Sequence, residues 1–128
     1  MKPNHAQPTV LVIEPDQVLA EVFADLLTNA GFAAEVITSG PAGLERVAGA
    51  PTDVAVIEWA IPRTGGNTIL QAIADDERWA DTYVVALTSW PRAMEAARDL
   101  ADEVKLQPFS APRLVAELAV RFFADRPA

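Results

Sequence analysis

Three segments limit what this chain can fold into more than any others: "TVLVIE" (9–14), "DVAVIE" (53–58) and "TYVVALTS" (82–89). Each is a nearly unbroken apolar and β-branched run without polar alternation, the pattern of a strand covered on both faces. Between them the apolar residues shift to helical spacing. "DQVLAEVFADLLTNAG" (16–31) sets Val18, Val22, Leu26 and Leu27 at helical intervals, with Asp16 as N-cap and Gly31 just past the end. "FAAEVIT" (32–38) reads as a second strand, and "PAGLERVAG" (41–49) as a short helix opened by Pro41 and stopped by Gly49. A loop rich in Pro and Gly, "WAIPRTGG", leads to a helix near 67–76, and Pro91 opens another that runs to about Leu100. "DEVKLQ" (102–107) reads as a weaker fifth strand. Ser110 then caps a last helix, "APRLVAELAVRFFAD" (111–125), with Leu114, Leu118 and Phe122 as its core stripe.

Five strands alternating with five helices predict an α/β fold, a doubly wound parallel sheet with helices on both faces. In such sheets the functional crevice lies beyond the carboxyl ends of the strands. Those ends deliver Glu14, Pro15 and Asp16; Glu58; Thr88 and Ser89; and Gln107 before Pro108. Burying a carboxylate costs energy unless something pairs with it. Glu58, the last residue of a doubly covered strand, is therefore expected at the mouth of a site and not as a device of the core.

Composition narrows the function classes. The 128 residues suit one domain, read as 9–125 between a polar N-terminal tail (1–8) and a short C-terminal tail (126–128). No apolar stretch nears the roughly 20 residues that cross a bilayer, and "MKPNHAQP" lacks the apolar region of a signal peptide. With a net charge of −8, neither nucleic acid nor an anionic membrane is an expected partner. The chain has no cysteine, which suits a cytoplasmic home. Its single histidine, His5, lies in the N-terminal tail, leaving almost no room for a histidine triad or zinc site.

The strand-end residues carry a resemblance. "VLVIEPD" looks like the first strand and acidic pair of the receiver domain of two-component response regulators. "DVAVIEWAIPRTGG" resembles that family's D-L-x-x-x-D-x-x-M-P-x-x-D-G segment, "VVALTS" carries the Thr/Ser of its fourth strand, and "ADEVKLQPF" resembles its A-D-D-Y-x-x-K-P-F ending. The match runs from about Thr9 to Phe123. It implies a flavodoxin-like five-stranded sheet in the order 2-1-3-4-5, and a family chemistry in which a histidine kinase phosphorylates the aspartate ending the third strand.

Residue by residue, the resemblance implies that most of that chemistry is missing. Glu58 stands at the phosphoacceptor position. Glu14 keeps the first acid, but Pro15 replaces the second, the one that touches Mg²⁺ in the family. Thr88 is retained; Gln107 replaces the lysine that pairs with the acyl phosphate, Val104 the switch aromatic, and Gly65 a common loop acid. Mg²⁺ demands near-octahedral oxygen ligation, and Glu58 carries its oxygens about 1.5 Å beyond an aspartate's. Asp16 joins Glu14 as the second acid expected at the pocket, one residue late and also expected to cap the helix. No metal ligand set and no cofactor are expected, and Mg²⁺ binding is expected to be weak or lost.

The expected function is an atypical receiver domain, not an enzyme, that works as a phosphorylation-independent protein-interaction module. Its partner would be a kinase, phosphotransfer or output protein. Within that reading Glu58 either mimics a phosphorylated aspartate beside Thr88 or sits in an inert site; the alternative is a receiver that still takes a metal and phosphate. Glu14 and Glu58, with no lysine between them, are expected to titrate jointly with one pKa raised. Gln107 relieves the pair only by donating its amide, while Lys105 and Arg63 are candidate displaced cations.

Trp59 and Trp90 follow strand ends and either flank the mouth as contact residues or pack over the loops; Trp79 reads as structural. If Val115 or Phe123 is exposed, the last helix-strand-helix face is a homodimer surface. A small-ligand binder or enzyme on the same fold is the remaining class. It is weakened by the absence of a glycine or hydroxyl in "EPDQV", of a G-x-G-x-x-G or G-K-[ST] motif, and of a histidine to activate Thr88 or Ser89.

Overall fold

The computed structural model describes residues 7–124, so His5 and Asp125 lie outside it. Five parallel strands form one sheet in the order β2-β1-β3-β4-β5: β1 (Thr9–Ile13), β2 (Ala33–Ile37), β3 (Val54–Glu58), β4 (Tyr83–Thr88) and β5 (Glu103–Leu106). The connecting helices are α1 (Gln17–Ala30), α2 (Gly40–Val47), α3 (Gly66–Ala74), α4 (Met94–Arg98) and α5 (Ala111–Phe123). The doubly wound architecture and strand order expected from the sequence are both present.

Alternate residues of the central strands feed two separate cores, because side chains on a strand point to opposite faces in turn. Val10, Val12, Val54, Val56, Val85 and Leu87 meet α1 and α5 through Phe23, Leu27, Leu114, Val115 and Leu118. Leu11, Ile13, Ala55, Ile57, Val84 and Ala86 meet α2, α3 and α4 through Val47, Ile69, Leu70, Ile73 and Ala97. Each fully buried side chain of this size contributes about 1.5–3 kcal/mol. Trp79 closes the second core, its indole N–H donating to the Val47 carbonyl at 3.0 Å, a structural role as expected.

Local signals explain the element ends. Asp16 Oδ1 accepts the Val18 and Leu19 N–H groups at 2.9 and 3.2 Å, and Gly31, at φ 106°, ends α1 in the left-handed conformation that glycine adopts without a Cβ clash. Ser110 caps α5 through the Arg113 N–H.

Two helical expectations need correction. The buried stripe of α1 is Ala20, Phe23 and Leu27, while Val18 is 73% exposed and Val22 also faces solvent. Phe23 brings the largest apolar surface and takes the sheet-facing side, turning the valines outward. The helix expected from Pro91 to Leu100 is a 3-10 turn, Pro91–Ala93, followed by the short α4. In α5, Leu114 and Leu118 are buried and Phe122 is half-buried edge-on against Phe32, as the stripe requires. Among the described residues no helix is long and apolar enough to cross a membrane.

Candidate functional site

Strand register brings two acids together. β1 and β3 pair in parallel from Val10↔Val54 to Ile13↔Ile57, and one more step sets Glu14 beside Glu58 at the carboxyl edge of the sheet. Neighbouring strands are about 4.8 Å apart, so side chains of the same parity touch. Glu14 is 3% exposed and Glu58 6%. Thr88 ends β4 and is buried; Gln107 follows β5, its N–H donating to the Thr88 carbonyl at 2.7 Å.

The oxygens of the pair are held mostly by backbone. Glu14 Oε2 accepts the Asp16 N–H at 3.0 Å, and Glu58 Oε2 accepts the Ala60 N–H at 2.9 Å. Glu58 Oε1 accepts the Gln107 amide at 3.3 Å, the neutral donation expected of that side chain. Glu14 Oε1, buried, has no donor.

Burial is the main cause that pushes the Glu14 carboxyl up to about 7, with the charge of Glu58 adding to it and the Asp16 N–H opposing. Burial likewise raises Glu58, against the pull of the Ala60 N–H and of a hydrogen bond from Glu14. The raised pKa was expected from like charges; desolvation is the larger cause.

The two candidate cations do not reach the pair. Lys105 is level with Leu87, and Leu87 with Glu58, so two strand spacings separate it from the acid. Its ammonium binds Glu103 at 3.0 Å and Glu117 at 2.8 Å. Arg63 is exposed in the loop after β3 and makes no ion pair among the described residues. Asp16 was expected in the acidic pocket, but its carboxylate caps α1 and only its N–H enters the site.

Among the described residues no group of three or more His, Cys, Asp or Glu side chains converges to hold a metal ion. Pro15 contributes no side-chain oxygen, and both available carboxylates are turned onto backbone N–H groups of their own loops.

The loop after β3 is tight. Gly66 N–H donates to the Trp59 carbonyl at 2.8 Å, and a Cβ on Gly66 would collide with the Glu58 carbonyl oxygen and the Trp59 backbone. Trp59 is half-buried on the second core, so it is a packing residue, whereas Trp90 is 63% exposed beside Pro91 and Arg92. Thr88 Oγ1 accepts the Trp90 N–H at 3.0 Å. Pro108 is exposed, joined to Gln107 by a cis peptide bond, and Val104 is half-buried on the second core. The condition set for a dimer face is not met by the residues named for it. Val115 is buried and Phe123 packs on Phe32 with ring centroids 5.0 Å apart, leaving Val120 as the exposed large apolar residue of α5.

Sequence reasoning missed Ala60 and Gly66. Ala60 acts through its backbone, which has no residue-type signature; the paired glycines of "TGG" were the available sign of a close approach.

Residues 10–119 match the response regulator receiver domain. The chain is 29% identical over 121 residues to the sensory transduction protein RegX3 of Mycobacterium tuberculosis, covering 86% of this chain and 48% of the relative. To the transcriptional regulatory protein CutR of Streptomyces coelicolor it is 30% identical over 112 residues, covering 85% and 51%. The chain thus spans about half the length of these curated relatives. Among solved structures it resembles the receiver domain of a Francisella response regulator, with 25% identity, a TM-score of 0.77, and 90% and 98% of the two chains covered. A CheY-like receiver domain from Methylobacillus flagellatus gives 24% identity and a TM-score of 0.76, with 88% and 97% covered. With the sheet order, the strand-end residues and a family match over most of its length, the chain belongs to the response regulator receiver domain family.

Proposed function

We propose that this receiver domain is a phosphorylation-independent protein-interaction module of two-component signalling, with Glu58 at the phosphoacceptor position and no enzymatic activity of its own. The observation that carries this reading is the engagement of Glu58: one oxygen takes the Ala60 N–H and the other the Gln107 amide, with Glu14 beside it and, among the described residues, no cation. Phosphoryl transfer works by positioning and by neutralising charge on the transferred oxygens. Among the described residues neither a lysine nor a third acid is in place to do that. Mg²⁺ needs near-octahedral oxygen ligation, and two inward-folded glutamates beside a proline do not fit it.

Of the two phosphate-free versions, a fixed surface is better supported than mimicry. The Thr88 hydroxyl oxygen is engaged by the Trp90 N–H, and both Glu58 oxygens are engaged elsewhere. The partner is a kinase, phosphotransfer or output protein of the same pathway, met in the cytoplasm. The acidic charge disfavours nucleic acid and anionic membrane. A homodimer through α4, β5 and α5 would use the exposed Val120, and sedimentation tests it.

The test uses radiolabelled acetyl phosphate with Mg²⁺, and calorimetry with Mg²⁺ and beryllofluoride. No label on residue 58 and no micromolar binding are expected; stable label on Glu58 overturns the reading. Pull-down with Glu58→Ala and Glu58→Asp should recover the partners of the wild type. Loss of partners in both variants would favour mimicry instead.

A further inference from the structure

Among the described residues, three hydrogen bonds reach the four carboxylate oxygens of Glu14 and Glu58. Asp16 N–H serves Glu14 Oε2, Ala60 N–H serves Glu58 Oε2, and the Gln107 amide serves Glu58 Oε1. Glu14 Oε1 is left over, on a residue 97% buried by its 3% exposure. A buried acceptor without a donor is costly, and a like charge beside it makes it more so. An incoming side chain or a hydrated metal ion has little access to so enclosed a pair. The species that fits is a proton.

We propose that the Glu14–Glu58 pair is a proton-binding switch: one proton shared between the carboxyls holds the loop from Trp59 to Gly65 closed, and its loss releases that loop. The inference rests on the phosphorylation-independent reading and names the event that regulates the same site. Bound on Glu14 Oε1, the proton donates to Glu58. On leaving, it passes to water and leaves two adjacent carboxylates at the sheet edge. Glu58 then moves away from Glu14 and gives up the Ala60 N–H. With that bond gone, the loop is left to the main-chain bonds from Thr64 N–H to the Pro62 carbonyl, Gly65 N–H to the Ile61 carbonyl and Gly66 N–H to the Trp59 carbonyl, each at 2.8 Å.

The surrounding charges keep the proton bound up to near neutrality. From the turn after β1, Asp16 adds negative charge; β4 presents the uncharged Thr88, and the end of β5 the uncharged Gln107. Arg63 of the β3–α3 loop is exposed, and Lys105 is held by Glu103 and Glu117. The rise of Glu14 to about 7 agrees with this arrangement.

The experiment follows the side-chain carboxyl carbons of Glu14 and Glu58 by NMR from pH 4 to 9 in the full chain, with the Ala60 and Trp59 amides as reporters. One carboxyl transition near pH 7 is expected, with both amides moving at the same midpoint. In Glu14→Gln, whose amide supplies the missing N–H, the amides should keep their low-pH positions to pH 9. Should that variant fail to fold, Glu58→Gln and the wild-type titration still decide the matter. Completion of both carboxyl titrations below pH 5.5, or amides that ignore the Glu14 transition, overturns the proposal. No phosphodonor is present in this titration. Label from acetyl phosphate on Glu58 would therefore sink the phosphorylation-independent reading while leaving the titration result to stand or fall separately.

Discussion

Replacing Glu14 by glutamine should make the protein more stable at alkaline pH and remove part of its pH dependence. The folded protein holds the Glu14 proton to about pH 7, whereas the ordinary glutamate value is 4.5. Below pH 4.5 both folded and unfolded chains are protonated, and this contribution to stability is fully present. Between 4.5 and about 7 the unfolded chain releases the proton while the folded one keeps it, so stability falls as pH rises. At roughly 1.4 kcal/mol per pH unit, the span from 4.5 to about 7 amounts to roughly 3 kcal/mol lost by pH 8. Glu14→Gln does not titrate and presents an N–H toward Glu58, so it lacks that slope. Urea unfolding at pH 4.5, 6 and 8, followed by the fluorescence of the buried Trp79, measures the difference. The stability of the variant relative to wild type should climb by roughly 3 kcal/mol across the range. A difference constant to within about 0.5 kcal/mol would refute the reasoning, because an acid with an ordinary pKa leaves no such slope.

Gln107→Lys sets an ammonium where the amide now meets Glu58, so the carboxyl transition near pH 7 should move to lower pH; an unmoved midpoint in the NMR titration counts against direct contact. Gly66→Ala drives a methyl group into the Glu58 carbonyl and the Trp59 backbone, and thermal unfolding should show a loss of about 1–3 kcal/mol with displaced loop amides. Phe32→Ala empties a ring site shared with Phe122 and Phe123 and should cost about 3–5 kcal/mol by urea unfolding, without shifting the carboxyl titration.

The sheet was legible because its strands are buried from both sides. Continuous apolar runs such as Val54–Ile57 have few other uses, and their order along the chain implied the winding. The meeting of Glu14 and Glu58 was legible for a related reason: both end central strands, and parallel register brings such residues side by side. What escaped depends on choices that one-dimensional patterns leave open. α1 carries two apolar stripes that share Leu27, and only docking to the sheet selects the one with Phe23. Lys105 had two acids nearer than the crevice, Glu103 and Glu117, one of them on a helix twelve residues on. The grip of Ala60 on Glu58 is a main-chain contact that any residue but proline could make.

One sheet with two dry faces also governs how damage spreads. A methyl group deleted at Val56 loosens contacts toward α1 and α5, while one deleted at Ile69 is felt among α2, α3 and α4. Substitutions on opposite faces share no partners and should combine additively in a double mutant, whereas two on the same face should not. Each flank of the domain is thereby open to reshaping for a new contact without a matching repair on the other.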